Sequence, residues 1–172
     1  DKPAPLRYLD WIGGVVRGNF GNSFASAGSL GGGHERTVVS LIAPRLANTL
    51  FLAGLTALIA VPLSLVLGML AALYRNGIFD RAVNFVTLTS IASPEFFVAY
   101  ILVLFLASPA YWQIFPSLAN VSADTPFGER LLRIALPSLT LVLVIVAHMM
   151  RMTRAAIINL LASPYIEMAR LK

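Results

Sequence analysis

Cysteine is absent from the 172-residue chain, and charged side chains make up only 12% of it. The first absence excludes a disulfide scaffold and any thiolate metal or redox site. The second excludes more. A soluble domain carries roughly 25% charged residues. Here 58% of residues are hydrophobic and the mean hydropathy is +0.78, so polar side chains cannot cover a water-facing surface. The chain reads as an integral membrane protein. Histidine is scarce too: His34 and His148 lie far apart, without a carboxylate or second histidine at ligand spacing. No metal-ligand set and no catalytic constellation is therefore read. Thirteen Lys and Arg against eight Asp and Glu leave a net charge of +5. These charges flank apolar stretches instead of forming a stripe, which argues for membrane flanks and against a nucleic-acid partner. No signal-peptide pattern opens the chain at Asp1, and Lys172 falls where a helix is expected, so a piece of a longer protein is expected.

What is present is three apolar runs. Residues 49–73 are uncharged between Arg45 and Arg75, long enough to cross about 30 Å of hydrocarbon. The second run, about 82–107, has one charge, Glu95; the third, about 133–150, ends at Arg151. Pro62, Pro94 and Pro137 interrupt the three, which membrane helices tolerate where neighbours support them. The expected fold is an all-α, polytopic transmembrane helix bundle. Residues 1–48 form an external amphipathic helix and loop, 49–172 a membrane domain, and 151–172 a cytoplasmic segment. Orientation follows basic-residue density. Segments 74–81 and 151–172 hold six Lys and Arg in 30 residues, against seven in the 74 residues of 1–48 and 108–133. The denser side is read as cytoplasmic. Leu6, Leu9, Ile12 and Val16 recur at helical spacing beside Tyr8 and Trp11, a short helix suited either to the outer interface or to packing on its own protein.

Thr56, Ala60, Ser64, Gly68 and Ala72 fall every fourth residue of the first span, a stripe that lets another backbone approach closely. Glu95 is the costly residue, because a carboxylate at mid-span costs about 2.5–3.5 kcal/mol on the insertion scale. On a continuous helix Asn84, eleven positions earlier, lies about 20° away and shares its face. Glu95 either lines a polar pathway or binds a cation, or else it is protonated or bonded to a neighbouring helix beside the Pro94 kink; the structural role is the expectation. Gly28 to Gly33 has phosphate-loop glycine spacing, but His34-Glu35 follow where Lys and Ser/Thr are needed. After a break at Ser163-Pro164, a short helix is expected, with Ser163 as N-cap and Glu167 near its positive end.

The stretches RYLDWIGGVVRGNFGNSF, APRLANTLFLAGLTALIAVPLSLVLGMLAA, YRNGIFDR, SPEFFVAYILVLF, LPSLTLVL and RMTRAAIINLLASPYIEMARLK run through almost the whole chain. Together they resemble the permease subunit of bacterial ABC importers, in the branch that handles dipeptides, oligopeptides, nickel or glutathione. That family's cytoplasmic signature begins Glu-Ala-Ala; Glu167 and Ala169 match it and Met168 departs, while the signature's later glycine would fall beyond Lys172. The resemblance implies a bacterial plasma (inner) membrane location and six spans, one before residue 1 and two after Lys172. It implies ATPase coupling through Tyr165, Ile166, Glu167, Met168, Ala169, Arg170, Leu171 and Lys172. Implied partners are a second permease subunit, two ABC ATPase subunits holding ATP and Mg, an external substrate-binding protein and the lipid bilayer. The chain itself is expected to need no cofactor and to be no enzyme. The alternative is an ion-coupled secondary carrier using Glu95, and a third reading is a non-transporting scaffold.

Overall fold

The computed structural model describes residues 3–23, 36–122, 124–164, 166 and 168. It divides into two compact units, Asp1–Leu50 and Phe51–Lys172.

In the first unit, α1 (Ala4–Val16) starts behind Pro3, with Pro5 in its first turn where no helical N–H is lost. Tyr8 and Trp11 stack with ring centroids 6.1 Å apart. Leu6, Leu9 and Val16 are exposed, so the apolar side of α1 is uncovered within its unit. The helix closes as the Asn19 N–H donates to the Gly14 carbonyl at 2.9 Å, with Gly18 at φ 81. An antiparallel bridge joins Asn22 to Thr37. The glycine-rich stretch 28–33 and His34 lie outside the described residues.

Four helices carry the membrane part: α2 (Val38–Leu73), α3 (Ile78–Ala92), α4 (Glu95–Leu106) and α5 (Phe127–Leu161). Helix α2 begins eleven residues before the apolar run. Thr37 caps it, accepting the Ser40 N–H at 3.3 Å, and charge at Arg45 does not interrupt it. Helix α5 likewise outruns the expected 133–150 segment at both ends and passes through Arg151 and Arg154 unbroken. An apolar run marks where lipid solvates a helix; the helix ends only where its backbone bonding stops.

Helix α5 is the central element, with α2, α3 and α4 against it. Ala60 of α2 joins Val142, Val146 and Met150 of α5 in one core, flanked by Leu67, Val83 and Ile145. The whole stripe of Thr56, Ala60, Ser64, Gly68 and Ala72 is buried. Thr56 and Ser138 share a hydroxyl–hydroxyl bond of 3.3 Å, and a Cβ on Gly68 would meet Thr153 Cβ at 2.7 Å and the Met150 carbonyl at 2.9 Å. Outward faces stay apolar, as Leu58, Phe85 and Phe96 illustrate, which suits a lipid or helix-packed surface.

Gly68 gives a sharp test, because both atoms in the way are fixed to the α5 backbone. Overpacking costs about 1–3 kcal/mol, more than the roughly 1 kcal/mol that alanine gains over glycine inside a helix. Gly68→Ala should lower the melting temperature of the detergent-solubilised protein. Gly54→Ala, on the same helix with open space around it, should leave it equal or higher. Equal behaviour of the two variants would mean that α2 and α5 do not touch at Gly68.

The second apolar run is not one continuous helix. It breaks at Ser93-Pro94 into α3 and α4, bent by 107°. Ser93 is extended (φ −91, ψ 134), as the residue before a proline prefers. Both its N–H and its hydroxyl donate to the Thr89 carbonyl, at 3.1 and 2.9 Å, so α3 is closed off before Pro94. Asn84 and Glu95 therefore do not share a helical face, and the 20° relation computed for a continuous helix does not hold. The loop after α4 is folded, with Ile114 and Phe115 N–H groups on the Leu106 carbonyl at 2.7 and 3.0 Å and the Phe105 and Tyr111 rings 4.9 Å apart.

Candidate functional site

Two polar places interrupt the apolar bundle, one at the start of α3 and one along α4 from the α3–α4 break. The first begins at the turn Tyr74 to Gly77. Asn76 takes the left-handed conformation (φ 65), which asparagine tolerates better than most residues. Its N–H points at the first turn of α3 and donates to Asp80 Oδ2 at 2.9 Å, a reach-back bond of the capping-box kind. Asn84, one turn on, donates its amide to Asp80 Oδ1 at 2.6 Å and to the Asp80 carbonyl at 2.7 Å. Arg154 of α5 completes the set: Nε donates to Oδ1 and Nη2 to Oδ2, both at 2.7 Å.

Asp80 thus accepts four hydrogen bonds and is only 3% exposed. A planar guanidinium matching a carboxylate in two parallel bonds is the strong form of this interaction. The pair ties the 74–77 turn to α5 less than two turns before that helix ends at Leu161. Neither Asp80 nor the role of Arg154 was evident from the sequence, where Arg154 counted only as a basic flank. The usable signal was that a membrane-adjacent carboxylate needs a partner.

Past Leu161 the chain turns. Ser163 N–H donates to the Leu160 carbonyl at 3.0 Å, and Ile166 N–H to the Ser163 carbonyl at 3.0 Å. The Ser163 hydroxyl has no hydrogen-bond partner among the described residues, so the expected side-chain cap is not formed there. Of the coupling segment, Ile166 and Met168 are described, and Met168 is exposed. Tyr165, Glu167, Ala169, Arg170, Leu171 and Lys172 lie outside the described residues.

The second polar place is a half-open cavity of about 400 Å³ between α4, the loop that follows it and α5. Glu95 opens α4 directly after Pro94 and stands on one wall; Ser117, Arg133, Pro137 and Thr140 stand on the others. Arg133 bonds Glu129 at 2.6 Å and also donates to the Asn120 carbonyl. Thr140 returns its hydroxyl to the Leu136 carbonyl at 3.0 Å. Of the sequence-derived candidates, Glu95 and Pro94 sit at this cavity or its edge. Asn84 belongs to the Asp80 site.

The family of binding-protein-dependent transport system inner membrane components matches residues 64–172, which takes in both polar places. The chain belongs to that family. Among its relatives is the oligopeptide transport system permease protein AppB of Bacillus subtilis, 30% identical over 174 aligned positions that cover all of this chain and 52% of that protein. A Brucella suis protein named for peptide permeation is 30% identical over 172 residues, again the whole of this chain and 52% of the relative. A probable peptide ABC transporter permease protein of Sinorhizobium fredii is 29% identical over the same extent. The chain spans about half the length of the curated relatives it matches. As an inner membrane component it has, among the described residues, two helices long and apolar enough to cross a bilayer, α2 and α5, with the bent α3–α4 pair as a third candidate crossing.

Proposed function

We propose that the protein containing this chain is a permease subunit of an ATP-driven importer for peptides or a related small solute. The observation that carries this reading is the family match over 64–172 together with the peptide-transport names of its relatives. In this reading a second permease subunit completes the passage, and an external binding protein delivers the solute. Two ATPase subunits hold ATP and Mg and supply the energy, so no cofactor resides on this chain and it is not itself the enzyme.

The geometry gives that energy a route. Helix α5 runs 35 residues without a break, roughly 50 Å at 1.5 Å per residue. It reaches from the Glu95 cavity, past the Asp80 pair, to the turn that leads into residues 165–172. A rigid rod that is docked at one end and lines a cavity at the other transmits displacement instead of absorbing it.

Reconstitution of the full-length permease pair with its ATPase subunits and binding protein in vesicles tests the reading. Peptide uptake is expected only with hydrolysable ATP inside, and it should persist when ion gradients are collapsed. Uptake driven by an ion gradient without ATPase subunits would overturn it in favour of a carrier.

A further inference from the structure

Glu95 is exposed, and it has no hydrogen bond or ion pair among the described residues, although it lies in a run otherwise free of charge. Its contrast with the other charges of the bundle is informative. Asp80 is held by four donors, Glu129 and Arg133 hold each other, and Arg130 lies over the Phe51 ring at 4.4 Å. Glu95 alone among these charges faces a cavity with no side chain of its own bundle turned to meet it.

The cavity has the size of a solute site, since such sites run to about 300–1,000 Å³. Its walls are largely apolar, with Phe96, Val103, Pro137 and Leu141 among them. The cation that shares the lining, Arg133, is already neutralised by Glu129. The charge left to address an occupant is one negative charge on an apolar wall.

We infer that this cavity is a solute-binding station on the passage, in which Glu95 takes a primary ammonium group of the transported molecule. The inference rests on the transport function proposed above and adds the charge class of the cargo. A free peptide amino terminus fits: one ammonium group on a body of amides and apolar side chains, the ammonium meeting Glu95 and the rest lying along α4 and α5. A cavity open to water costs the carboxylate far less than lipid would, and this one is half open.

Two measurements on the full-length transporter, with its partner subunits, test it. With Thr140→Cys on the facing wall, a cationic thiol reagent should react about tenfold faster than an anionic one of the same size, because a nearby carboxylate attracts one and repels the other. Adding Glu95→Gln should return the ratio to that of a free thiol. A ratio that ignores Glu95→Gln, or a thiol that neither reagent reaches, overturns the inference. In the second measurement, Glu95→Gln should lower ATP-driven uptake of a free-amine peptide about tenfold at normal levels of assembled complex, with a raised half-saturation concentration. Unchanged uptake overturns the inference, and so does a loss that tracks loss of complex, which would make Glu95 an assembly residue. Should the unaltered transporter move no peptide under ATP, the transport reading fails, while the reagent ratio still reports whether Glu95 governs the cavity.

Discussion

Arg154→Leu is expected to remove most of the folded protein from the membrane. The reason is what it leaves behind. Asp80 is 3% exposed and would be left with only the Asn76 N–H and the Asn84 amide to hold it. Breaking a buried pair by removing one partner costs about 3–5 kcal/mol, and the low end applies here because Arg154 retains 23% exposure. The opposite change, Asp80→Asn, should cost less, since Arg154 can turn its guanidinium toward water while asparagine remains an acceptor for Asn76. The swapped double variant, Asp80→Arg with Arg154→Asp, should not rescue. Position 80 must accept from a backbone N–H and a side-chain amide, and a guanidinium only donates. Folded yield by size-exclusion chromatography and melting temperature in detergent rank the three variants. Full rescue by the swap would reduce the site to simple charge pairing.

Ala169→Glu carries the second large effect, on function instead of folding. It rests on the family reading, in which residues 165–172 dock against the ATPase subunits. A small residue is needed where a short helix sits closely in a partner's groove, and a buried carboxylate there would be unpaired. The expected outcome is normal membrane levels, ATPase subunits lost on co-purification, and ATP-driven uptake reduced to background. If the segment only lay on the inner leaflet, Arg170 and Lys172 would hold it there by attraction to anionic lipid. Neutralising those two would then matter more than Ala169→Glu. Retention of the ATPase subunits with full uptake in Ala169→Glu would sink the coupling role.

The α2 stripe was legible in the sequence because it is a one-dimensional pattern: four-residue spacing within a helix needs no knowledge of the partner. The Asp80–Arg154 pair was not, because its members stand 74 residues apart and only the packing of α3 on α5 brings them together. Proline shows where local reading stops. Pro62, Pro94 and Pro137 look alike in sequence, yet the first and third remain inside helices and only the second breaks one. Pro62 and Pro137 lie beside the buried Ser64 and Ser138 of the α2–α5 interface, so tertiary contact holds those helices together across the missing bond. At Pro94, Ser93 offers both its N–H and its hydroxyl to the Thr89 carbonyl, and the helix stops. Helices α2 and α5 run on beyond the apolar runs for a related reason, since polar residues can continue a helix that an apolar run begins.

The Ser93-Pro94 break also bears on electrical insulation. Helix α3 covers 15 residues, roughly 22 Å at 1.5 Å per residue, before its backbone bonding ends. Phe97 and Val98 donate back to the Pro94 carbonyl, at 2.9 and 3.2 Å, but the amides at the start of α4 have no turn before them. Backbone groups at membrane depth persist only against protein or water. With Glu95 beside them, they require water or further protein against this part of the bundle. Where water fills that place, ions would meet a dielectric barrier thinner than the bilayer, and resistance to leakage would fall to the packed stretch of Ala60, Val142, Val146 and Met150.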